Sequence, residues 1–194
     1  NESAIKLIRK YGNTTNEGKE SIILAAESSF HGRTLAALSA TGQPKYQKGF
    51  EPMIKGFKFF KFNNFDSVKK LFEECENNDQ KISGVLIEPI QGEGGDNHFR
   101  YEYFKELKLL SQENDFLLIY DEVQTGIGIT GKMWAHQHFC EPSCHFSCIT
   151  HCKAIEPDII SFGKKTQVCG VFAGDRLNEV ENHVFHESSR INST

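Results

Sequence analysis

Short apolar segments alternate with amphipathic ones along the chain, and this alternation constrains the fold more than any other feature. Residues 21–26, 82–88 and 117–120 have the length and apolar character of buried strands. Between them, residues 2–11 and 65–75 carry apolar side chains at helical spacing. The repeated strand–helix–strand pattern predicts right-handed crossovers and an α/β fold with a three-layer, doubly wound, mostly parallel sheet.

Composition predicts one soluble domain and excludes several classes of partner. The chain has 194 residues, of which 38% are hydrophobic, so it can bury one substantial core. Its net charge of −4 and its mixed acidic and basic residues give no basic face for nucleic acid and no polybasic membrane anchor. The apolar runs are too short to span a bilayer and no signal peptide is present, so we expect a cytoplasmic or organelle-matrix location.

Two predicted strands end in side chains that could perform catalysis. The run 117–120 leads into Asp121, and the run 159–162 leads, after one glycine, into Lys164. Carboxyl ends of strands form the ligand crevice of an open α/β sheet. A carboxylate there can pair with a cationic ring nitrogen, and a lysine in a dry crevice can attack an aldehyde, which is the equipment that pyridoxal phosphate needs. Taken singly, Asp121 could equally cap a helix and Lys164 could be a solvated side chain.

Five segments resemble the class III, fold-type I aminotransferases, in the right order and over nearly the whole chain. They are NESAIKLIRKYG, SSFHGRTLAALSATGQPKYQKGFEP, GVLIEPIQGEGG, DEVQTGIGITGKMWAHQHF and EPDIISFGKKTQVCG. The resemblance implies that residues 1–194 are part of the large, cofactor-binding domain, without the small domain. It also implies truncation at both ends, with only Asn1 and Glu2 left of the turn that holds the cofactor phosphate, and a homodimer when full length.

The same resemblance assigns cofactor contacts. Lys164 would hold pyridoxal phosphate covalently and later move a proton, and Asp121 would keep the ring nitrogen protonated. Phe30 and Val123 would enclose the ring, and Gln124 would bond its hydroxyl. Thr194 would reach the phosphate of the neighbouring subunit.

On the substrate side, the resemblance implies that Arg33 binds the donor's carboxylate and that Glu93 and Asn192 line the site. Without it, Phe30 is more simply a core residue and Arg33 a surface charge. The histidines His31 and His136 are expected to be structural rather than acid–base groups.

The segments disagree about the amino donor. The stretch FHGRTLAALSATGQPKYQKGFEP resembles acetylornithine and ornithine aminotransferases, whereas GEGGDNHFR, GKKTQVCGVFAGDRL and SSRINST resemble L-lysine 6-aminotransferase. Both groups move a terminal amino group of a diamino acid to 2-oxoglutarate. Lysine is favoured because the lysine-like segments flank the cofactor and the subunit interface. The alternative is a non-catalytic remnant or a gene-model fragment of such an enzyme.

Residues 140–154 depart from the family pattern, in which about one residue occupies this place. They contain four cysteines spaced four apart and two histidines: Cys140, Cys144, Cys148 and Cys152, with His145 and His151. A zinc site is conceivable, but structural zinc sites normally use Cys-x-x-Cys turns, and Pro142 disrupts the first turn of a helix. We therefore expect no metal, and a loop insertion or a mistranslated segment.

Overall fold

The computed structural model describes residues 1–139 and 155–180, and a six-stranded sheet forms their centre. The strands in this part of the chain are β1 (Glu20–Ala26), β2 (Phe57–Phe60), β3 (Gln80–Ile87), β4 (Ile90–Gln91), β5 (Asn97–His98), β6 (Leu117–Asp121), β7 (Ile159–Phe162) and β8 (Gly170–Ala173). The sheet has the order β2-β1-β3-β6-β7-β8, in which only the β7–β8 pair is antiparallel. The mostly parallel α/β sheet expected from the sequence is confirmed.

Helices cover the sheet and connect its strands. The α-helices of the described residues are α1 (Glu2–Thr15), α2 (Leu35–Ser39), α3 (Pro44–Gln47), α4 (Phe65–Asn77) and α5 (Tyr101–Glu113). Short 3-10 turns follow at Ala135–His138, Lys164–Thr166 and Asp175–Glu179. Within residues 1–139 and 155–180, no helix is long and apolar enough to cross a membrane.

Strand β6 explains the three layers, because it is buried on both faces. Side chains alternate across a strand. Leu117 and Ile119 pack in the apolar cluster that contains α1, whereas Leu118 and Tyr120 pack in the cluster that contains α4 and α5. A strand covered in this way has a continuous apolar sequence, as parallel sheets require.

The structure differs from the sequence-based expectation in its short elements. Residues 41–56 contain α3, for which the sequence shows no apolar period. The glycine-rich turn 91–95 lies between β4 and β5, which pair as a small antiparallel hairpin, and β8 was not expected. These elements contain two to four residues each, too few for an apolar period to reveal them.

Arg176 joins the last described turn to the opposite end of the sheet from Asp121. Its Nη1 donates to Asp158 Oδ2 at 3.1 Å, and its Nη2 donates to Asp115 Oδ1 at 2.7 Å and to Tyr11 Oη at 3.1 Å. Asp158 is 7% exposed and also accepts a hydrogen bond from the Leu118 amide at the start of β6. Arg176 therefore compensates a buried carboxylate on which a core strand depends.

Replacing Arg176 by alanine is expected to lower the free energy of unfolding by about 1–3 kcal/mol, because the buried Asp158 carboxylate would keep only Lys108, at 3.7 Å, as a cationic partner. Urea unfolding of the two chains at the same pH measures the difference. The exposed Lys70 on α4 provides a control, since Lys70→Ala should change stability by less than about 0.5 kcal/mol. Equal losses in both variants would contradict the role given to Arg176.

Candidate active site

Asp121 ends β6 and lies buried at the carboxyl edge of the sheet, with 5% of its surface exposed. Its Oδ2 lies 2.8 Å from His31 Nδ1 and accepts a 2.6 Å hydrogen bond from Asn1 Nδ2, and its Oδ1 accepts one from the Val123 amide at 3.1 Å. Burial alone would raise the pKa of Asp121, but its bond to His31, the charge of that ring and the other donors outweigh burial and lower the pKa. Asp121 is therefore a buried carboxylate that stays ionised at neutral pH.

Asn1 and Ser161 tie this carboxylate to the neighbouring strand. Register places Ser161 of β7 opposite Asp121. Ser161 Oγ donates to Asn1 Oδ1 at 2.6 Å, while Asn1 Nδ2 also donates to the His31 carbonyl oxygen at 2.5 Å. The Asn1 side chain thus bonds the Asp121 carboxylate, the His31 backbone and the Ser161 hydroxyl, and it fixes the position of Asp121.

Lys164 follows β7 and begins a 3-10 turn in a left-handed backbone conformation, with φ of 54°. Such a conformation is costly for a residue with a Cβ, and strained positions of this kind concentrate at functional sites. Lys164 Nζ donates to Gln124 Oε1 at 2.9 Å, and the adjacent Lys165 Nζ donates to the Gln124 backbone oxygen. The lysine and the glutamine predicted for the cofactor therefore lie together at the carboxyl ends of β7 and β6.

Val123 and the glycine-rich turn complete this side of the site. Val123 is half-buried, and a Cβ built on Gly163 would lie 3.7 Å from its Cγ1. A Cβ on Gly92 would lie 2.5 Å from Gln124 Nε2, so the end of the Gln124 side chain packs directly on the turn. Glu93, the next residue, is exposed.

Arg33 lies over two aromatic rings near the end of β1. Phe30 is half-buried and meets Tyr46 of α3 edge to face, with 5.3 Å between the ring centroids. The exposed Arg33 places its guanidinium carbon 5.6 Å from the Phe30 centroid and 5.2 Å from that of Tyr46. Cation–π contact holds the planar guanidinium in one orientation and leaves its edge for a carboxylate.

Glu122, the residue after Asp121, has a structural role. It is fully buried and accepts hydrogen bonds from the His136 and Ala135 amides at 2.9 and 3.0 Å, and its Oε1 lies 2.9 Å from His136 Nδ1. Burial would raise the pKa of Glu122, but the bonds from His136 and Thr125 lower it. These contacts pin the loop between β6 and the 3-10 turn at Ala135–His138, so His136 has the structural role that the sequence favoured.

Some predicted residues lie outside the described part of the chain. They are Asn192, Thr194 and the cysteine-rich residues 140–154. Within residues 1–139 and 155–180, no group of three or more His, Cys, Asp or Glu side chains is placed to hold a metal ion.

Sequence reasoning missed three residues of the site, Ser161, Glu88 and Tyr46, and it assigned Asn1 to the phosphate turn without its contact to Asp121. Asn1, Ser161 and Glu88 act through contacts that strand register creates, and no local pattern announces such contacts. Tyr46 lies within a motif that carries the family resemblance, GQPKYQKGF, and that placement was the only available signal.

Comparison with known proteins identifies the family. The model of the class-III aminotransferases matches residues 1–185. The acetylornithine aminotransferase of Prochlorococcus marinus subsp. pastoris is 69% identical over 138 residues, which are 71% of this chain and 33% of that protein. That of Aquifex aeolicus is 45% identical over 163 residues, 84% of this chain and 38% of that protein.

Solved structures agree with this result. The lysine aminotransferase of M. tuberculosis, solved in its internal aldimine form, is 35% identical with a TM-score of 0.77, over 100% of this chain and 46% of that one. The ornithine aminotransferase of Toxoplasma gondii is 27% identical with a TM-score of 0.69, over 88% of this chain and 37% of that one. The chain therefore spans roughly a third of the first curated relatives and under half of these solved chains. Because the family model covers nearly all of its residues, the chain belongs to the class III aminotransferases.

Proposed function

We propose that the protein carrying this chain is a pyridoxal-phosphate-dependent enzyme that transfers the terminal amino group of a diamino acid to 2-oxoglutarate. One observation carries the proposal: a buried, ionised aspartate and a lysine in strained backbone lie at the ends of two adjacent parallel strands. Asp121 ends β6, and Lys164 begins the turn after β7. Strands β6 and β7 pair directly.

The residues present suit this cofactor. Asp121 is buried and ionised, and it offers the negative charge that a protonated ring nitrogen needs. Lys164 has an exposed amine for covalent attachment, and the Gln124 amide beside it can bond the ring hydroxyl. Phe30 and Val123 would enclose the ring, and Thr194 would reach the phosphate of a neighbouring subunit in a homodimer. When bound, pyridoxal phosphate would supply an electron sink for the charge that develops on the substrate carbon.

The chain's own groups divide the remaining work. Lys164 Nζ would hold the cofactor and, once the donor's amine replaces it, take the proton from the substrate carbon and return it. His31 and Asn1 bond the Asp121 carboxylate, and these bonds keep it ionised and fix its orientation. Arg33 would bind the donor's carboxylate and so present the far amino group to the reacting atoms.

The choice of donor changes once the relatives are considered. The lysine-like segments favoured lysine, but the curated relatives described above are named acetylornithine aminotransferases, at up to 69% identity. Identity to the solved lysine aminotransferase is 35%. We therefore propose acetylornithine as the first candidate donor, with ornithine and lysine next. Ornithine and lysine differ by one methylene, which is worth only about 1–3 kcal/mol in an apolar pocket, so the discrimination between these two donors can be modest.

Steady-state kinetics on the full-length enzyme test this proposal. The values of kcat/KM for acetylornithine, ornithine and lysine are compared at saturating 2-oxoglutarate, with pyruvate as an alternative acceptor. We expect acetylornithine to give the highest value and 2-oxoglutarate to exceed pyruvate. A preference for lysine would restore the order that the sequence motifs favoured. Absence of transamination with every donor would support the non-catalytic alternative.

Replacing Arg33 by alanine should reduce kcat/KM for all three donors by about 10- to 150-fold, since charge-assisted hydrogen bonds are worth roughly 1.5–3 kcal/mol. The loss should appear mainly in KM. The matched control is Arg33→Lys, which keeps the charge without the planar fork and should recover only part of the loss. Unchanged kinetics in Arg33→Ala would remove Arg33 from the substrate site.

A further inference from the structure

Glu88 is a buried carboxyl group to which the proposed mechanism gives no part. It follows β3, and register pairs Ile87 of that strand with Tyr120 of β6, so Glu88 comes level with Asp121 at the carboxyl edge of the sheet. Only 6% of its surface is exposed. A carboxyl group removed from water in this way must be compensated by the groups around it.

The Glu88 carboxyl lies between two neighbouring segments that form walls of the site. Its Oε1 accepts a 2.8 Å hydrogen bond from the Phe30 amide, in the segment after β1. The Gly92 amide, in the turn after β4, lies on the same carboxyl group and favours its ionised form. Phe30 carries the ring beneath Arg33, and Gly92 supports the Gln124 side chain and precedes Glu93. One side chain therefore joins the Arg33 wall to the Gln124 wall.

The charges facing Glu88 come from two elements. His31, in the segment after β1, favours its ionised form, and Asp121, at the end of β6, opposes it. Burial and the charge of Asp121 raise the pKa of Glu88, His31 and the two amides lower it, and the balance is a pKa of about 7. The carboxyl group consequently changes its charge near neutral pH.

Protonation changes what this bridge can hold. The ionised carboxylate offers acceptor sites on both oxygens, and hydrogen bonds to a charged acceptor are roughly twice as strong as neutral ones. Adding a proton turns one oxygen into a donor and removes the charge, so the bonds from Phe30 and Gly92 weaken together. The two walls are then joined less firmly.

We propose that Glu88 is a positioning residue whose ionised carboxylate clamps the Phe30 segment to the Gly92–Glu93 turn, and that a proton on it loosens the site. The effect of Glu88 on catalysis rests on the proposed function, whereas its hydrogen bonding does not. The geometry of the clamp belongs to the chain with or without the cofactor.

The clamp is tested first without catalysis. The full-length protein labelled with 15N-phenylalanine is titrated between about pH 5 and pH 9, and Phe30→Leu identifies the Phe30 amide signal. We expect that signal to shift through one transition near neutral pH and the transition to vanish in Glu88→Gln, which keeps an acceptor but cannot ionise. A Phe30 amide that does not titrate in the wild-type chain would overturn the proposal, whatever the variant does.

The second measurement uses the full-length enzyme. In Glu88→Gln the transition near neutral pH in the profile of kcat/KM, and in the visible circular dichroism of the bound cofactor, should be lost. Glu88→Asp, which titrates but is one methylene shorter, should keep a transition while raising KM. Identical pH profiles in wild type and Glu88→Gln would overturn the catalytic role. A Phe30 titration that depends on Glu88 in a protein without transaminase activity would uphold the clamp and refute the proposed function.

Discussion

Replacing Lys164 by alanine is expected to abolish covalent cofactor attachment and to lower kcat by at least about 10³-fold, within the range that a positioned acid–base group contributes. The adjacent Lys165 should not replace it. Lys164 Nζ meets the side-chain oxygen of Gln124, whereas Lys165 Nζ is held by the Gln124 backbone oxygen. Of the two lysines, only Lys164 has a left-handed backbone, with φ of 54°.

Borohydride reduction followed by peptide mapping distinguishes the two lysines. In the full-length wild-type enzyme the pyridoxyl group should be found on Lys164, and Lys165→Ala should retain both the adduct and most of the activity. An adduct on Lys165 would move the register of the site by one residue. No adduct in the wild type would remove pyridoxal phosphate from the proposal.

The sequence predicted the sheet well because its central strands are buried on both faces. Four successive apolar side chains precede Asp121, and the structure divides them between two clusters on opposite faces of β6. Such a run can be detected without knowing its partners. Strand β8 has two half-buried and two exposed residues, so its place beside β7 depends on tertiary pairing rather than on a pattern.

Without the family resemblance, the candidate site was predictable only where a residue's chemistry coincides with a strand end. Asp121 and Lys164 satisfy that condition. Asn1 does not, because it is distant in sequence from Asp121 and Ser161 and meets them only after β6 and β7 have paired. Glu88 was expected merely to end a strand, and its contact with Phe30 exists because β1 and β3 are neighbours in the sheet. The sequence does not show which strands pair or in which register, so contacts that depend on that pairing could not be predicted from it.

Replacing Asp121 by asparagine is expected to lower kcat by about 10²- to 10³-fold, comparable with removing one preorganised electrostatic group. The amide has nearly the same shape but no charge, so a ring nitrogen opposite it would lose the partner that keeps it protonated. Asp96→Asn, on an exposed aspartate with a left-handed backbone that asparagine tolerates, should leave kcat unchanged.

Stability against pH provides a second measurement on the same variant. The folded-state pKa of Asp121 is lowered, so the stability that its charge contributes is fully present above the unfolded pKa of about 3.9 and is lost as pH falls through the folded value. Asp121→Asn should therefore be less stable than wild type at neutral pH, and the difference should shrink below about pH 4. If wild type instead gains stability relative to Asp121→Asn as pH falls, Asp121 has a raised pKa and is not ionised in the folded chain, and the pairing of its charge with a ring nitrogen fails with it.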